Sequence, residues 1–392
     1  MEQEIELKLL APNNAGDIIE RDILPCLTGQ SVKSNVELNN YYYDTPDRHL
    51  RKNDMGLRIR GDGKYLEQTL KTSGKSLGGL QQRPEYNVVL SATSHDIKEQ
   101  ELMPNLALFD ASAWPSNFPL DRVQQQLSTL FLTRFERTCY LLDLHPSCQI
   151  EMVWDRGYVT ANGQSKVICE IELELKKGKV TDLFDLAQLL LSFMYLSVGN
   201  DSKAARGYRL ADDKPLKASK SIGFVPLKRG ATQEQALVES INYAIRFVQK
   251  HEACYFIKPS LKTLKRVTDG IRLIRHTFWL FDDIVSKEST DHLRTELKWL
   301  LSELAWVENA IQLKTYTSKR HAYYKKINSA PELTQVINDL KELQPSIDDI
   351  ETLFHSTRYN RLLLQLTTWL IEKQWRKSWG QAEFQAAEKP VA

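Results

Sequence analysis

The sequence predicts an α+β fold, with a sheet-dominated first half followed by an all-α second half. Two patterns carry this. Up to about residue 210, apolar and polar residues alternate with period two, and turn residues separate the runs. From about 233 onward, apolar residues recur with helical spacing almost to the end. The stretch 211–232 between them is polar, carries Pro and Gly and holds no period, so it reads as a linker. A chain of 392 residues exceeds what one hydrophobic core usually organises. The expected division is a domain over 1–212, a linker over 213–232, a helical domain over 233–380 and a tail over 381–392.

Strands are expected at 4–9, 36–43, 56–60, 65–71, 85–90, 135–144, 149–154 and 168–175. Gly61-Asp62-Gly63 and Asn162-Gly163 supply turn chemistry between runs. Helical pieces fall at 14–24, 121–130 and 182–196. In the second half, Ile271, Ile274, Phe278 and Phe281 mark one apolar stripe; Tyr359, Leu362, Leu366 and Trp369 mark another. An R-x-x-R precedes each stripe, at Arg272/Arg275 and Arg358/Arg361, which suggests a duplicated unit in a helical bundle.

Composition narrows the function classes. The chain is 42% hydrophobic and 26% charged, with a formal net charge of +2. So small an excess argues against a dedicated nucleic-acid binder. The five cysteines form no C-x-x-C pair and show no zinc-like spacing with histidine, so they are expected to be reduced thiols. No apolar run reaches the ~18 residues of a membrane span, and Glu2, Glu4 and Glu6 rule out a signal-peptide pattern, so a cytoplasmic location is expected. Ser73-Gly74-Lys75-Ser76 resembles the end of a phosphate-binding loop, but Thr69 stands where its first glycine is required, and a turn is expected instead.

The opening strand reads Glu4-Ile5-Glu6-Leu7-Lys8, which puts both glutamates and the lysine on one face. Alone, such a face is a solvated surface. The pattern recurs, however: Glu170, Glu172 and Glu174 share a face, as do Glu151 and Asp155, while Arg58 and Arg60 share another. Lys71 and Arg137 lie on further strands. Carboxylates on neighbouring even positions repel, so several such strands around one interior require cations. Acidic and basic strands around a common cavity suit metal-assisted phosphoryl transfer, with Mg²⁺ or Mn²⁺ on oxygen ligands and Arg and Lys on phosphate.

The ordered set E-I-E-L-K at the N-terminus, Y-Y-D-T-P-D at 42–47, G-L-R-I-R at 56–60, T-L-K at 69–71, C-E-I-E-L-E-L at 169–175 and S-K-A-A-R-G-Y at 202–208 resembles the CYTH family of triphosphate tunnel metalloenzymes. The resemblance covers about residues 1–210 and implies an eight-stranded antiparallel β-tunnel that binds a triphosphate with divalent metal. It implies metal ligands at Glu4, Glu6, Asp155, Glu170 and Glu172, and phosphate-gripping residues at Lys8, Arg58, Arg60, Lys71, Arg137 and Lys203. Arg83 and Glu85 share a strand face as further members. Arg134 lies near the family's F-x-R arginine, which F-E-R assigns to Arg137. Glu174 stands as an outer support or a rim residue. Within that frame Lys8, Arg58, Arg60, Lys71, Arg137 and Glu172 are the expected catalytic set, with Glu172 orienting the attacking water.

The second half resembles the CHAD domain through R-L-I-R-H-T-F-W-L-F at 272–281 and S-T-R-Y-N-R-L-L-L-Q-L-T-T-W-L at 356–370, with Trp375 following. That resemblance implies polyphosphate binding by a basic stripe of Lys258, Lys262, Lys265, Arg272 and His276. The stripe departs from the family pattern: the histidine before the first arginine cluster is missing, and Glu308-Asn309 replaces an Arg-Asp pair. A structural role therefore stands beside polyphosphate binding. The reading as a whole is an inorganic triphosphatase. Its alternatives are a class IV adenylate cyclase, a thiamine triphosphatase and a non-catalytic polyphosphate scaffold. Neither a membrane nor a nucleic acid is an expected partner.

Overall fold

A computed structural model describes residues 2–27, 29–62, 66–91 and 102–391. The chain divides into two compact units, with the boundary in the sequence between Leu216 and Lys217.

The first unit contains β1 (Glu2–Leu10), α1 (Ala15–Ile18), β2 (Gln30–Asp44), α2 (His49–Lys52), β3 (Gly56–Gly61), β4 (Leu66–Lys71) and β5 (Lys75–Leu77). It continues with β6 (Leu80–Ser91), α3 (Leu120–Gln126), β7 (Ser128–His145), β8 (Cys148–Ala161), β9 (Gln164–Lys177), α4 (Val180–Phe193), β10 (Ser197–Val198) and α5 (Lys203–Ala211). Eight strands close into a ring in the order β1-β9-β8-β7-β2-β3-β4-β6, with β6 pairing back onto β1. Every pairing is antiparallel, and closure leaves the ring without open edges. The short β5 and β10 lie outside the ring, on β6 and β1.

All eight expected strands form, and most are longer than the alternation alone marks. β2 begins at Gln30 and pairs with β7 from Gln30–Asp143 to Asp44–Ser128. That pairing corrects the expected helix at 121–130: the helix stops at Gln126, and Ser128 already starts β7. The helix at 14–24 breaks into a short α-turn, a π-turn and a 3₁₀ turn that carries Pro25. Tyr65 of one expected strand and Gly63 of the expected turn lie outside the described residues. Asn162 and Gly163 both take positive φ, 51° and 72°, as a two-residue hairpin turn needs. The phosphate-loop mimic is local sheet: Lys75 and Ser76 belong to β5.

Period two sorts each strand. In β1 the odd residues Leu7 and Leu9 are fully buried on the outer face, where α4 packs with Leu183, Leu186 and Leu190. The even residues Glu4, Glu6 and Lys8 face the lumen. An element not expected from the sequence, α5, packs against β7, β8 and β9. Its Gly207 permits that approach, because a Cβ there would stand 2.1 Å from the Phe131 ring.

Among the described residues, the regular elements of the second unit are helices, apart from an isolated bridge between Thr232 and Pro390. Its helices are α6 (Gln233–Ile257), α7 (Leu261–Leu280), α8 (Lys287–Glu303), α9 (Trp306–Tyr316), α10 (Tyr324–Asn328), α11 (Pro331–Glu342), α12 (Ile347–His355), α13 (Thr357–Ile371) and α14 (Gln381–Ala387). Both expected apolar stripes are buried, and Phe278 of the first meets Trp369 of the second edge-on at 5.2 Å. The segment 381–387, expected as a tail, is α14, and the backbone after it is held where Val391 N–H donates to Ala231. The polar stretch after Lys217 is tied to α6, where Ser219 N–H donates to His251 Nε2 at 2.9 Å. Among the described residues no helix is long and apolar enough to cross a membrane.

One buried acid gives this unit a pH dependence. Glu252 sits in the core, 5% exposed, and accepts a hydrogen bond from Tyr359 Oη at 2.6 Å. Burial pushes its carboxyl up to about 8, against the lowering by Tyr359. The folded state therefore keeps a proton that the unfolded chain gives up near 4.5. Its contribution to stability is full below that value and is lost as pH rises through about 8. Glu252→Gln should flatten this slope, as read from denaturant midpoints across the window. A slope equal to the parent's would refute the assignment.

Candidate active site

The ring order turns period two into a map of charge. Strands β1, β9 and β8 are neighbours, and they send Glu4, Glu6, Glu170, Glu172, Glu174, Glu151 and Asp155 inward. The remaining arc from β7 through β2, β3 and β4 to β6 carries Arg137, Arg58, Arg60, Lys71 and Arg83. Between the two walls lies a cavity of about 250 Å³. That is below the ~300 Å³ at which drug-sized pockets begin, so it suits a compact polar ligand.

Ion pairs stitch the walls together at their seams. At the β1–β6–β4 seam, Lys71 Nζ lies 2.5 Å from Glu4 and 3.0 Å from Glu85, and Arg58 lies 3.5 Å from Glu85. At the β7–β8 seam, Arg137 forms a two-pronged pair with Asp155, at 2.8 and 2.7 Å, and reaches Glu172 at 3.1 Å. Deeper in, Lys8 Nζ bridges Glu170 at 2.9 Å and Glu172 at 2.5 Å. From α5, Lys203 lies within 3.0 Å of Asp155, Glu170 and Glu172, and Arg206 pairs with Glu170. Ser202 caps α5, accepting from Ala205 N–H, which holds Lys203 and Arg206 one turn apart on one face.

These contacts divide the carboxylates. Burial alone would raise Glu170, but Lys203 and Lys8 bring it down to about 2; Glu172, buried too, is held well below the usual range by Lys203, Lys8 and Arg137. Glu6 behaves in the opposite way. Burial first, then the charges of Glu172 and Glu4, push it up to about 7. Glu4 is raised as well, by burial above all, despite its contact with Lys71. Negative charge is therefore left under-compensated around Glu4 and Glu6. On the opposite wall, burial and the charges of Arg58 and Arg137 lower Arg60 to about 10, whereas carboxylate partners raise Lys71 and Arg137, so the uncompensated positive charge is local to Arg60. Arg58 Nε, Arg83 Nε and Thr69 Oγ1 are buried there without a hydrogen-bond partner. One wall calls for a cation and the other for an anion.

The lumen collects Glu4, Glu6, Lys8, Arg58, Arg60, Lys71, Arg83, Glu85, Arg137, Glu172, Glu174 and Lys203, all singled out from the sequence. Asp155 and Glu170 lie behind it, fully buried, in one acidic group with Glu172 whose ligand oxygens are within 4.8 Å of one another. Arg134 is exposed and donates to Asn39 at 2.7 Å, on the opposite face of β7 from Arg137. Sequence reasoning missed Arg206, Glu67, Tyr42 and Lys176. For Arg206 the signal was present: it sits three residues after Lys203 in the quoted motif, but no helix was expected there.

In the helical unit the basic stripe is partly spent internally. Lys265 pairs with Glu308 at 3.0 Å, the very glutamate that departs from the CHAD pattern. Arg358 pairs with Glu296 at 2.6 Å and stacks over Trp299. Lys258, Lys262, Arg272, Arg275, His276 and Arg361 remain exposed.

A closed antiparallel tunnel with one acidic and one basic wall defines a class of protein able to hold a polyanion and cations face to face. The chain belongs to the CYTH family: the CYTH domain model matches residues 2–208, and the CHAD domain model matches residues 240–392. An inorganic triphosphatase of Haemophilus influenzae is 37% identical over 217 residues, covering 55% of this chain. The chain thus spans 57% of that relative's length. Among solved structures, a Hippeastrum protein described as having a dominant triphosphatase activity is 16% identical, with a TM-score of 0.36 over 54% of this chain and 97% of that one. A Mimivirus capping enzyme triphosphatase is 13% identical, with a TM-score of 0.27 over 48% of this chain and 90% of that one.

Proposed function

We propose that the tunnel hydrolyses inorganic triphosphate to pyrophosphate and phosphate with the help of a divalent cation. The observation that carries this reading is the division of one lumen into an acidic and a basic wall, under-compensated at Glu6 and at Arg60. The H. influenzae relative, an inorganic triphosphatase, supports it.

The donors fit a hard cation such as Mg²⁺ or Mn²⁺, being carboxylate oxygens throughout. Glu4, Glu6 and Glu172 would hold it, since these three line the cavity, whereas Asp155 and Glu170 lie behind it, fully buried and paired with Lys203, Arg137, Lys8 and Arg206. Asp155 and Glu170 serve on this reading as an inner acidic support. Bound there, the cation would neutralise phosphate charge and polarise a phosphate oxygen. Arg58, Arg60, Lys71, Arg83 and Arg137 grip the phosphate chain from the opposite wall, with Lys8 and Lys203 at its acidic side. Glu172, held ionised, accepts a hydrogen bond from the attacking water and aims it at the terminal phosphorus. Basic side chains stabilise the leaving pyrophosphate, and no covalent nucleophile is required. In the helical unit, the exposed Lys258, Lys262, Arg272 and His276 present a shorter polyphosphate-binding stripe than the family pattern, because Lys265 is paired with Glu308.

The test is phosphate release from inorganic triphosphate, ATP, thiamine triphosphate and long-chain polyphosphate, with Mg²⁺ and then Mn²⁺. Strong preference for inorganic triphosphate, abolished by chelation, is the expected result. Cyclic AMP formed from ATP, preference for thiamine triphosphate, or binding without turnover would each replace the proposal with a different one.

A further inference from the structure

The cysteines form no C-x-x-C pair, but His145-Pro146-Ser147-Cys148 is an H-x-x-C on the turn that joins β7 to β8, a spacing that corrects the expectation of no zinc-like pattern with histidine. His145 and Cys148 pair across that turn, and Lys177 Nζ anchors it by donating to Pro146 O at 2.9 Å. Asp182, from the first turn of α4, completes a group whose three ligand atoms lie within 4.8 Å of one another. None of the three residues lines the charged lumen.

We infer that His145, Cys148 and Asp182 form a second metal site, on the outside of the tunnel, for a thiophilic divalent cation of the Zn²⁺ type. Two ligands separated by two residues on a tight hairpin are the usual way a short segment presents half of a zinc site. Zn–ligand distances of about 2.0–2.3 Å place tetrahedral ligand atoms about 3.5 Å apart, so closure needs a shift of roughly 1 Å. His145 can supply it, because its side chain is exposed at the turn. Its Nδ1 lies 3.0 Å from Ser147 Oγ, which leaves Nε2 for the metal. The thiol is 1% exposed and directed at the Asp182 carboxylate. Asp182 Oδ2 also accepts from Lys179 N–H at 2.8 Å, which fixes the carboxylate in place.

Gly178 makes this approach possible. At φ +124° it holds a conformation that side chains avoid, and a Cβ there would lie 2.5 Å from Asp182 Oδ2 and 3.4 Å from Cys148 Sγ. A surface recess lined by His145, Cys148, Gln149 and Lys177 adjoins the group and leaves room for water as a fourth ligand. The tunnel's proposed ligands are all oxygen, so the two sites take chemically different ions and report differently.

The experiment uses the full chain, stripped of metal under reducing conditions and titrated with Co²⁺. A thiolate-to-cobalt charge-transfer band should appear and saturate, and Zn²⁺ should displace it. Oxygen ligands in the tunnel cannot produce that band, so the readout is independent of triphosphate hydrolysis. Cys148→Ser and His145→Ala should each abolish it, and Cys254→Ser should leave it intact. His145→Ala alters only an exposed side chain, so a folding defect in Cys148→Ser does not decide the matter. No band in the parent, or a band that survives either substitution, overturns the assignment.

Discussion

Glu172→Gln should lower phosphate release from inorganic triphosphate by about 10²-fold or more, the scale set by removing one preorganised electrostatic group from an active site. The substitution keeps size and an oxygen acceptor while deleting one charge. Glu172 is the meeting point of the lumen: Lys8 at 2.5 Å, Lys203 at 3.0 Å and Arg137 at 3.1 Å all converge on it. Without the negative charge, the proposed attacking water is left with a weaker acceptor and the proposed cation with a weaker ligand beside Glu6. Steady-state kinetics separate the two losses. A fall in kcat that excess Mg²⁺ or Mn²⁺ does not restore marks the water-orienting role, and one that excess cation restores marks the ligand role. A variant as fast as the parent would end both readings.

Lys8→Met should cost about 3–5 kcal/mol of stability, the range for breaking a buried ion pair from one side. Lys8 is 1% exposed, and its ammonium is shared by Glu170, which is fully buried, and Glu172. Methionine preserves the apolar stem that packs beside Gly199, so the loss reports on charge rather than volume. Lys203 and Arg206 still contact Glu170, which places the expected effect at the lower end of that range. Urea unfolding measures it, and adding Glu170→Gln should recover part of the loss, because the two residues are coupled. Strict additivity of the two substitutions would show that the pair is not interacting.

Much of this site could be read from the chain because strands hold side chains in strict alternation. Glu4, Glu6 and Lys8 had to share a face, and so did Arg58 with Arg60 and Glu170 with Glu172. Helical spacing likewise marked the buried stripes through Phe278 and Trp369. What alternation cannot say is which strands become neighbours. Lys8 meets Glu170 across 162 positions, and Arg137 meets Glu172 across 35, through pairings that local pattern does not encode. The short α5 was missed for a related reason: nine residues hold too few turns to show a period, and packing on β7 and β8 decides that they are helical.

By itself, then, the sequence determined the two-part organisation, the faces of the strands and the residue types that meet the solvent of the lumen. Only the tertiary structure decided that β1, β9 and β8 stand together as an acidic wall, that Asp155 and Glu170 are occupied by buried cations while Glu6 is not, and that Asp182 reaches His145 and Cys148. Alternation is a property of neighbouring residues. Ring closure, ion-pair partners and a ligand set drawn from a turn and a helix depend on contacts between distant ones.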